Sequence, residues 1–215
     1  MVRQRIRIRF SKLGNLKYIG HKDLLRAFVS LFRRARLPFA MSGGYHPKIK
    51  MSFPSALALG IEGFDEVLEL ELKEPVNSSV LLADLNRQSI EGLNFLSAKI
   101  LNETERKAKL ISSVYEMIVP DQFCSETVNR IKDFLLQKSV VVKKLNNKNN
   151  AKEVDVRNDI NDLKFQTETG ILQAEIISRN GPETGIKELL FVLNLDKEYF
   201  QTIFPKRIKC VLDGE

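Results

Sequence analysis

The chain is short of cysteine: Cys124 and Cys210 are the only two in 215 residues, and they stand far apart with no CxxC or Cys/His spacing. That argues against a disulfide framework and against a zinc or cluster site, leaving two buried thiols as the simplest reading. No apolar run approaches the roughly 20 residues needed to cross a bilayer, so no membrane association is expected. Alternating arginines stand where a leader would place a charged region and then an apolar one, and the expected location is the cytoplasm. The most uneven shortage is of acid, because residues 1–60 hold a single one, Asp23, against thirteen Lys/Arg.

The rest of the chain carries 21 Lys/Arg and 26 Asp/Glu, so the formal net charge of +7 conceals a cationic N-terminal end. Such polarity points to a polyanionic partner, most simply RNA, while an acidic protein surface would satisfy the same electrostatics. With 43% hydrophobic and 28% charged residues the chain can bury a real core, and its length suits two small domains.

Residues 2–10 alternate with period two. A strand there puts Arg3, Arg5, Arg7 and Arg9 on one face and Val2, Ile6, Ile8 and Phe10 on the other. From residue 20 to 36, Leu24, Leu25, Phe28, Leu31, Phe32 and Ala35 recur at helical spacing, and Pro38 limits the helix. A short strand over 39–42 and a glycine-rich loop at 43–47 follow, with extended chain again over 49–53. Residues 65–72 alternate cleanly, with Leu68, Leu70 and Leu72 inward and Glu69 and Glu71 opposite. Asn77 or Ser78 can cap a helix carrying Val80, Leu81, Leu82 and Leu85, which Gly92 closes before a strand over 93–101. The order β-α-β-β-α-β predicts an α+β, ferredoxin-like domain over residues 1–102, and the polar stretch 102–109 reads as a linker.

The second half begins with a strand at 114–119 and a helix over 121–138 bearing Phe123, Val128, Ile131, Phe134 and Leu135. Segments 139–145 and 153–156 flank a Lys/Asn-rich hairpin tip at 146–150, and 162–169 with 170–178 form a further hairpin. Gly181-Pro182-Glu183-Thr184 leads into a helix with Ile186, Leu189, Leu190 and Leu193, and a strand at 208–212 ends the pattern. Residues 110–215 are thus expected to form a second α+β domain, ferredoxin-like with an inserted hairpin.

Four arginines on one strand face would repel one another unless acids or a bound anion compensate them. In a ferredoxin-like sheet the first and third strands are neighbours, so Glu69 and Glu71 can lie across from them on the open face as a salt-bridge lattice. Lys12, Lys17, Lys22, Arg26, Arg33, Arg34, Arg36, Lys48 and Lys50 remain, with only Asp23 near in sequence. Tyr18, Phe39 and Tyr45 are interspersed with these cations and offer faces on which bases stack, Phe39 being the one suited to the core. The two histidines, His21 at the helix entrance and His46 in the loop, lack a local Asp/Glu/Cys ligand set, and the cationic setting disfavours a divalent metal. No metal and no cofactor are expected, and Gly43-Gly44 completes no phosphate-loop motif.

The run Ile8-Arg9-Phe10-Ser11-Lys12-x-Gly14, then His21-x-Asp23-Leu24, Arg33-Arg34-Ala35-x-Leu37-Pro38 and Ser42-x-Gly44-Tyr45-His46-Pro47, resembles the radical-SAM-linked domain family of unknown function. The likeness continues through Met51-Ser52-Phe53 and Leu57-x-Leu59-Gly60 to Glu66, and more weakly through Glu153-Val154-Asp155-Val156-Arg157 and from Pro182 to Leu189. It implies substrate recognition or an accessory role beside a radical-SAM protein. The chain has no CxxxCxxC run, so radical chemistry would reside in a separate polypeptide. A looser, architectural likeness is to the repeat-processing endoribonucleases of CRISPR systems, in which His21 would be the candidate catalyst; their glycine-rich C-terminal segment is missing.

Together these readings predict a non-catalytic RNA-binding accessory protein working with a separate radical-SAM RNA-modification enzyme. Its contacts would come from Lys12, Lys17, Lys22, Arg26, Arg33, Tyr45, His46, Lys48 and Lys50. The alternatives are a metal-independent endoribonuclease using His21, and a module whose positive face docks an acidic protein.

Overall fold

The computed structural model describes residues 4–145, 151–179, 184–196 and 205–214. The expected features at Val2 and Arg3, at the tip 146–150 and at Gly181, Pro182 and Glu183 lie outside the described residues. The fold is mixed α+β with a mainly sheet core and five α-helices among the described residues, divided into compact units of residues 1–109 and 110–215.

In the first unit, strand β1 (Gln4–Lys12) is followed by a 3-10 turn (Gly14–Tyr18) and helix α1 (His21–Arg34). Strands β2 (Met51–Ser52) and β3 (Glu62–Leu72), helix α2 (Ser78–Arg87) and strand β4 (Leu93–Leu101) complete it. β1 pairs antiparallel with β3 and with β4, and β2 pairs antiparallel with β3, which gives the order β4-β1-β3-β2. The period-two pattern works as expected: Ile6, Ile8 and Phe10 of β1 and Leu68, Leu70 and Leu72 of β3 meet Leu24, Phe28, Leu31 and Phe32 of α1 and Leu81 and Leu85 of α2 in one core. Phe28 is its centre, edge-on to Phe10 at 5.1 Å and to Phe95 at 6.0 Å. Both helices therefore cover one face, and Arg5, Arg7, Arg9, Glu69 and Glu71 occupy the other.

The sequence pattern misplaces three features. α1 stops at Arg34 because Arg36 turns left-handed (φ 52°) and Leu37 N–H bonds back to the Phe32 carbonyl at 3.1 Å, ahead of Pro38. Residues 39–42 form no strand but isolated bridges, Phe39 to Leu72 and Met41 to Ile49, because the chain there turns into a small hairpin with too few partners for a ladder. Helix α2 ends well before Gly92, which lies in the turn into β4. The cap is as expected: Asn77 Oδ1 accepts from Ser79 N–H at 2.9 Å and from Val80 N–H at 3.3 Å.

The second unit runs β5 (Leu110–Ile118), α3 (Asp121–Leu136), the hairpin β6 (Val141–Leu145) and β7 (Ala151–Asp155), α4 (Val156–Asp159), β8 (Ile160–Gln166), β9 (Ile171–Ile177), α5 (Ile186–Val192) and β10 (Lys206–Leu212). β5 pairs antiparallel with β9 and β10, and β8 pairs antiparallel with β9, giving β10-β5-β9-β8. β6 and β7 pair only with each other. The four-residue α4 was invisible to periodicity, being one turn that Asp155 caps through Asn158 N–H at 3.3 Å. On α3, Thr127, Ile131 and Phe134 are buried, while Leu135, expected inward, is exposed.

Candidate nucleic-acid interface

The arginine face of β1 is internally neutralised. Arg7 sits opposite Glu69 in the β1–β3 register, and its Nε and Nη2 donate to Glu69 Oε1 at 3.2 and 3.0 Å, with both residues about 5% exposed. Arg5 Nη2 reaches Glu69 Oε2 at 3.2 Å, and Arg9 Nη1 reaches Asp65 Oδ2 at 2.5 Å. Glu71 pairs with Lys50 Nζ at 2.9 Å instead of an arginine, although it lies directly across from Arg5. Asp65 was the partner the sequence reading missed. Its signal was its place in the alternation, on the same face of the strand as Glu69 and Glu71.

The expected open face is not open. The stretch 102–109, expected as a linker, belongs to the first unit and is bonded across the ladder: Arg5 Nη1 donates to the Glu105 carbonyl at 2.6 Å, and Ala108 N–H donates to Glu69 Oε1 at 2.9 Å. Glu105 fastens the strap from its own end. Its carboxylate accepts from Asn102 N–H at 3.2 Å and from Lys99 Nζ at 3.3 Å. The Asn102 bond first, and then the Lys99 ammonium working against slight desolvation, hold it below the usual carboxylate range.

The cations proposed from sequence separate into distinct places. Lys22, Arg26 and Arg33 are exposed on α1, opposite its buried Leu24, Phe28, Leu31 and Phe32. They recur at spacings of four and seven, so they form one stripe along the helix, about 16 Å from end to end at 1.5 Å per residue. The only acid on that helix, Asp23, takes Arg26 at 2.9 Å in an exposed pair that solvent leaves weak. Arg34, on the flank, is anchored to the Gln88 carbonyl at 2.8 Å and to Ser30 Oγ at 3.0 Å.

Lys48, His46 and Tyr45 lie in the hairpin that follows, all exposed. Its neck is closed by Ser42, whose N–H donates to the Lys48 carbonyl at 2.8 Å and whose Oγ accepts from Lys48 N–H at 2.9 Å. Gly44 supplies a left-handed turn (φ 100°), and Tyr45 at the tip is fully exposed. Phe39 packs against the core, as its reading anticipated. Lys17 lies over the Tyr18 ring at 5.2 Å and is half-buried.

Two of the expected contacts are elsewhere. Lys12 is about 1% exposed and donates through Nζ to the Ile19 carbonyl at 3.0 Å, so its ammonium is spent inside the fold. Lys50 lies on the ladder face with Glu71, across the sheet from the α1 stripe. His21 is exposed, and its ring packs edge-on against Phe53 at 5.3 Å. Among the described residues no group of three or more His, Cys, Asp or Glu is placed to hold a metal ion, and no helix is long and apolar enough to cross a membrane.

What the first unit presents to solvent is therefore a stripe of guanidinium and ammonium groups on α1 and a stiff-necked hairpin tipped with an aromatic ring. Nineteen Lys/Arg against eleven Asp/Glu give it a net charge of +8, whereas fifteen against sixteen leave the second unit at −1. Residues 5–187 match the family described as "Uncharacterized protein conserved in bacteria (DUF2344)". A search of the curated proteins finds no match.

Proposed function

The chain belongs to the DUF2344 family of uncharacterized conserved bacterial proteins; from its surface charge and its sequence resemblance we propose that it is a non-catalytic RNA-binding accessory protein, presenting substrate to a separate radical-SAM RNA-modification enzyme. The observation that carries the reading is the division of charge. The arginines of the sheet face are consumed by Glu69 and Asp65, while Lys22, Arg26 and Arg33 stand in line on α1, a helix whose one acid is Asp23. A stripe about 16 Å long matches two or three successive phosphates, and such contacts supply affinity without sequence choice. Lys48 adds an exposed cation in the hairpin that follows, where His46 is a further exposed polar group, and Tyr45 offers an unpaired base a face to stack on. The radical-SAM partner rests on the resemblance of the His21-x-Asp23-Leu24 and Ser42-x-Gly44-Tyr45-His46-Pro47 segments, and is proposed as such. The shared antiparallel orders β4-β1-β3-β2 and β10-β5-β9-β8 support reading each unit as a ferredoxin-like sheet.

The test is a titration of labelled small RNA at several salt concentrations. Affinity should fall linearly on logarithmic axes, with a slope of roughly 0.9 per neutralised phosphate on a duplex and roughly 0.7 on a single strand. Arg26→Glu/Arg33→Glu should weaken binding at least about tenfold and flatten the slope. No binding at low salt would overturn the reading in favour of an acidic protein partner, for which a ribonuclease-insensitive complex is the sign. RNA scission that persists in EDTA and vanishes in His21→Ala would replace it with the endoribonuclease.

A further inference from the structure

On the ladder face, away from the α1 stripe, Arg5, Lys50, Ser52, Glu69, Glu71 and Lys107 line a cleft of about 200 Å³. Its charge does not balance. Arg5, Lys50 and Lys107 set three cations against the two carboxylates. Glu69 is saturated by donors from the protein: Arg7 Nε and Nη2 and Ala108 N–H on one oxygen, Arg5 Nη2 on the other. Glu71 is held by Lys50. Lys107 by contrast is exposed and forms no ion pair with the described residues, so all three of its N–H groups face the cleft mouth or water. Lys50 keeps two N–H groups beyond the one given to Glu71, and the Ser52 hydroxyl adds a neutral donor.

We propose that this cleft binds a single phosphate monoester group, with Lys107 and Lys50 as its direct contacts and Arg5 as fixed charge beside them. The lining keeps a positive excess and at least five N–H groups on Lys107 and Lys50 that the protein does not use, which suits the oxygens of a phosphate monoester carrying roughly −1.5 to −2 near neutral pH. The volume agrees: at about 30 Å³ per water it holds six or seven waters, enough for a phosphoryl group, and it falls short of the roughly 300 Å³ at which drug-sized ligands begin. The site is built of strand residues, the bonded strap and Lys50, whose backbone is bonded to Ala40 and Glu71, so it is formed before the ligand arrives. It is separate from the α1 surface and does not rest on the RNA reading.

The phosphoryl group can belong to a free small phosphate or to the end of an RNA, and the test separates them. Inorganic phosphate is titrated into the full chain and followed by NMR of the Lys50 to Ser52 amides. A short oligonucleotide is then compared with and without a 5′-phosphate or a 3′-phosphate. Saturable shifts are expected with inorganic phosphate, weakened about tenfold in Lys107→Gln, an exposed position where the fold should tolerate the change. Tighter binding of a phosphate-ended oligonucleotide assigns the RNA end, and equal binding with either terminus assigns the free phosphate. Arg26→Glu/Arg33→Glu should leave the phosphate shifts intact, so loss of RNA affinity there with retained phosphate binding keeps the two proposals apart. Absence of saturation up to about 10 mM phosphate, or shifts that Lys107→Gln does not change, would overturn the proposal.

Discussion

The two halves of the chain share one strand order and differ in the charge that their first helices carry. In each, the first strand is central, flanked by the last and the third, with the second outermost, and a long helix follows the first strand. Both place a left-handed glycine at the entry to a strand that pairs with the first one: Gly92 before β4 and Gly170 before β9. Each carbonyl accepts from the residue just past the first strand, Leu13 or Val119, at 2.7 Å, and in each a Cβ would meet that residue's carbonyl oxygen at 2.4 Å. The first helices then diverge. α1 carries Lys22, Arg26, Arg33 and Arg34 against Asp23, while α3 mixes Asp121, Glu126 and Asp133 with Arg130 and Lys132. The shared backbone features answer packing needs, and the charge on the first helix is not fixed by them.

The comparison breaks most easily at the carboxylates of the two sheets. Glu69 is buried beneath Arg5 and Arg7, so Glu69→Ala strands two guanidiniums and should cost about 3–5 kcal/mol in denaturant unfolding of the first unit. Glu175 in the second unit bonds only neutral partners, Ser112 at 2.5 Å and Asn161 at 2.8 Å, and is half-exposed, so Glu175→Ala should cost about 1 kcal/mol. Equal losses would deny that the ladder is a buried ion-pair network. Next in size, Gly92→Ala and Gly170→Ala should each destabilise their own unit by roughly 1–3 kcal/mol through backbone strain, with the carbonyl clash adding to it. A tolerated alanine at either site would end the claim that the two turns solve one problem.

Charge reversal sharpens the functional half of the contrast. Arg26→Glu/Arg33→Glu on α1 is expected to cost RNA affinity about 10- to 100-fold, and Lys132→Glu on α3 should change it by less than about twofold. Equivalent losses on both helices would mean that net charge alone, and not the α1 stripe, binds the polyanion.

Much of this was legible in the sequence, and the failures have a common cause. Alternation in 2–10 and 65–72 marked both the core and the arginine face, because one side chain in two must enter an apolar layer. The same pattern suggested that Glu69 faced the arginines, yet it made that face open. Burial came from the strap 102–109, whose polar composition reads as solvent-exposed but whose backbone groups bond to Arg5 and Glu69. Lys12 failed for a related reason: a lysine at a strand end reads as surface, and its partner, a backbone carbonyl at Ile19, has no sequence signature. The α1 stripe was legible because helical spacing alone separates Lys22, Arg26 and Arg33 from the buried face. The cleft at Lys107 was not, since it joins residues up to about a hundred positions apart.

The smallest expected effect concerns the hairpin that each unit inserts between its first helix and its second strand. In the first unit the 41–49 hairpin is closed by the Ser42 hydroxyl, which does not titrate in the acid range. In the second, Asp155 ends β7 and gathers Ser139 Oγ at 2.7 Å, Val140 N–H at 3.0 Å and Asn158 N–H at 3.3 Å. Desolvation pushes its carboxyl up, but these hydrogen bonds outweigh it and hold the group below the ordinary range. A carboxyl depressed in the folded state stabilises above its unfolded value, and that contribution is lost as pH falls through the folded one. Amide exchange protection at Val140 and Asn158 should therefore decline between about pH 5 and pH 2, while that at Lys48 holds. Asp155→Asn should remove the decline, because an amide in the same place cannot be protonated there; a matching decline at Lys48 would show acid loosening the whole fold instead of one anchored hairpin.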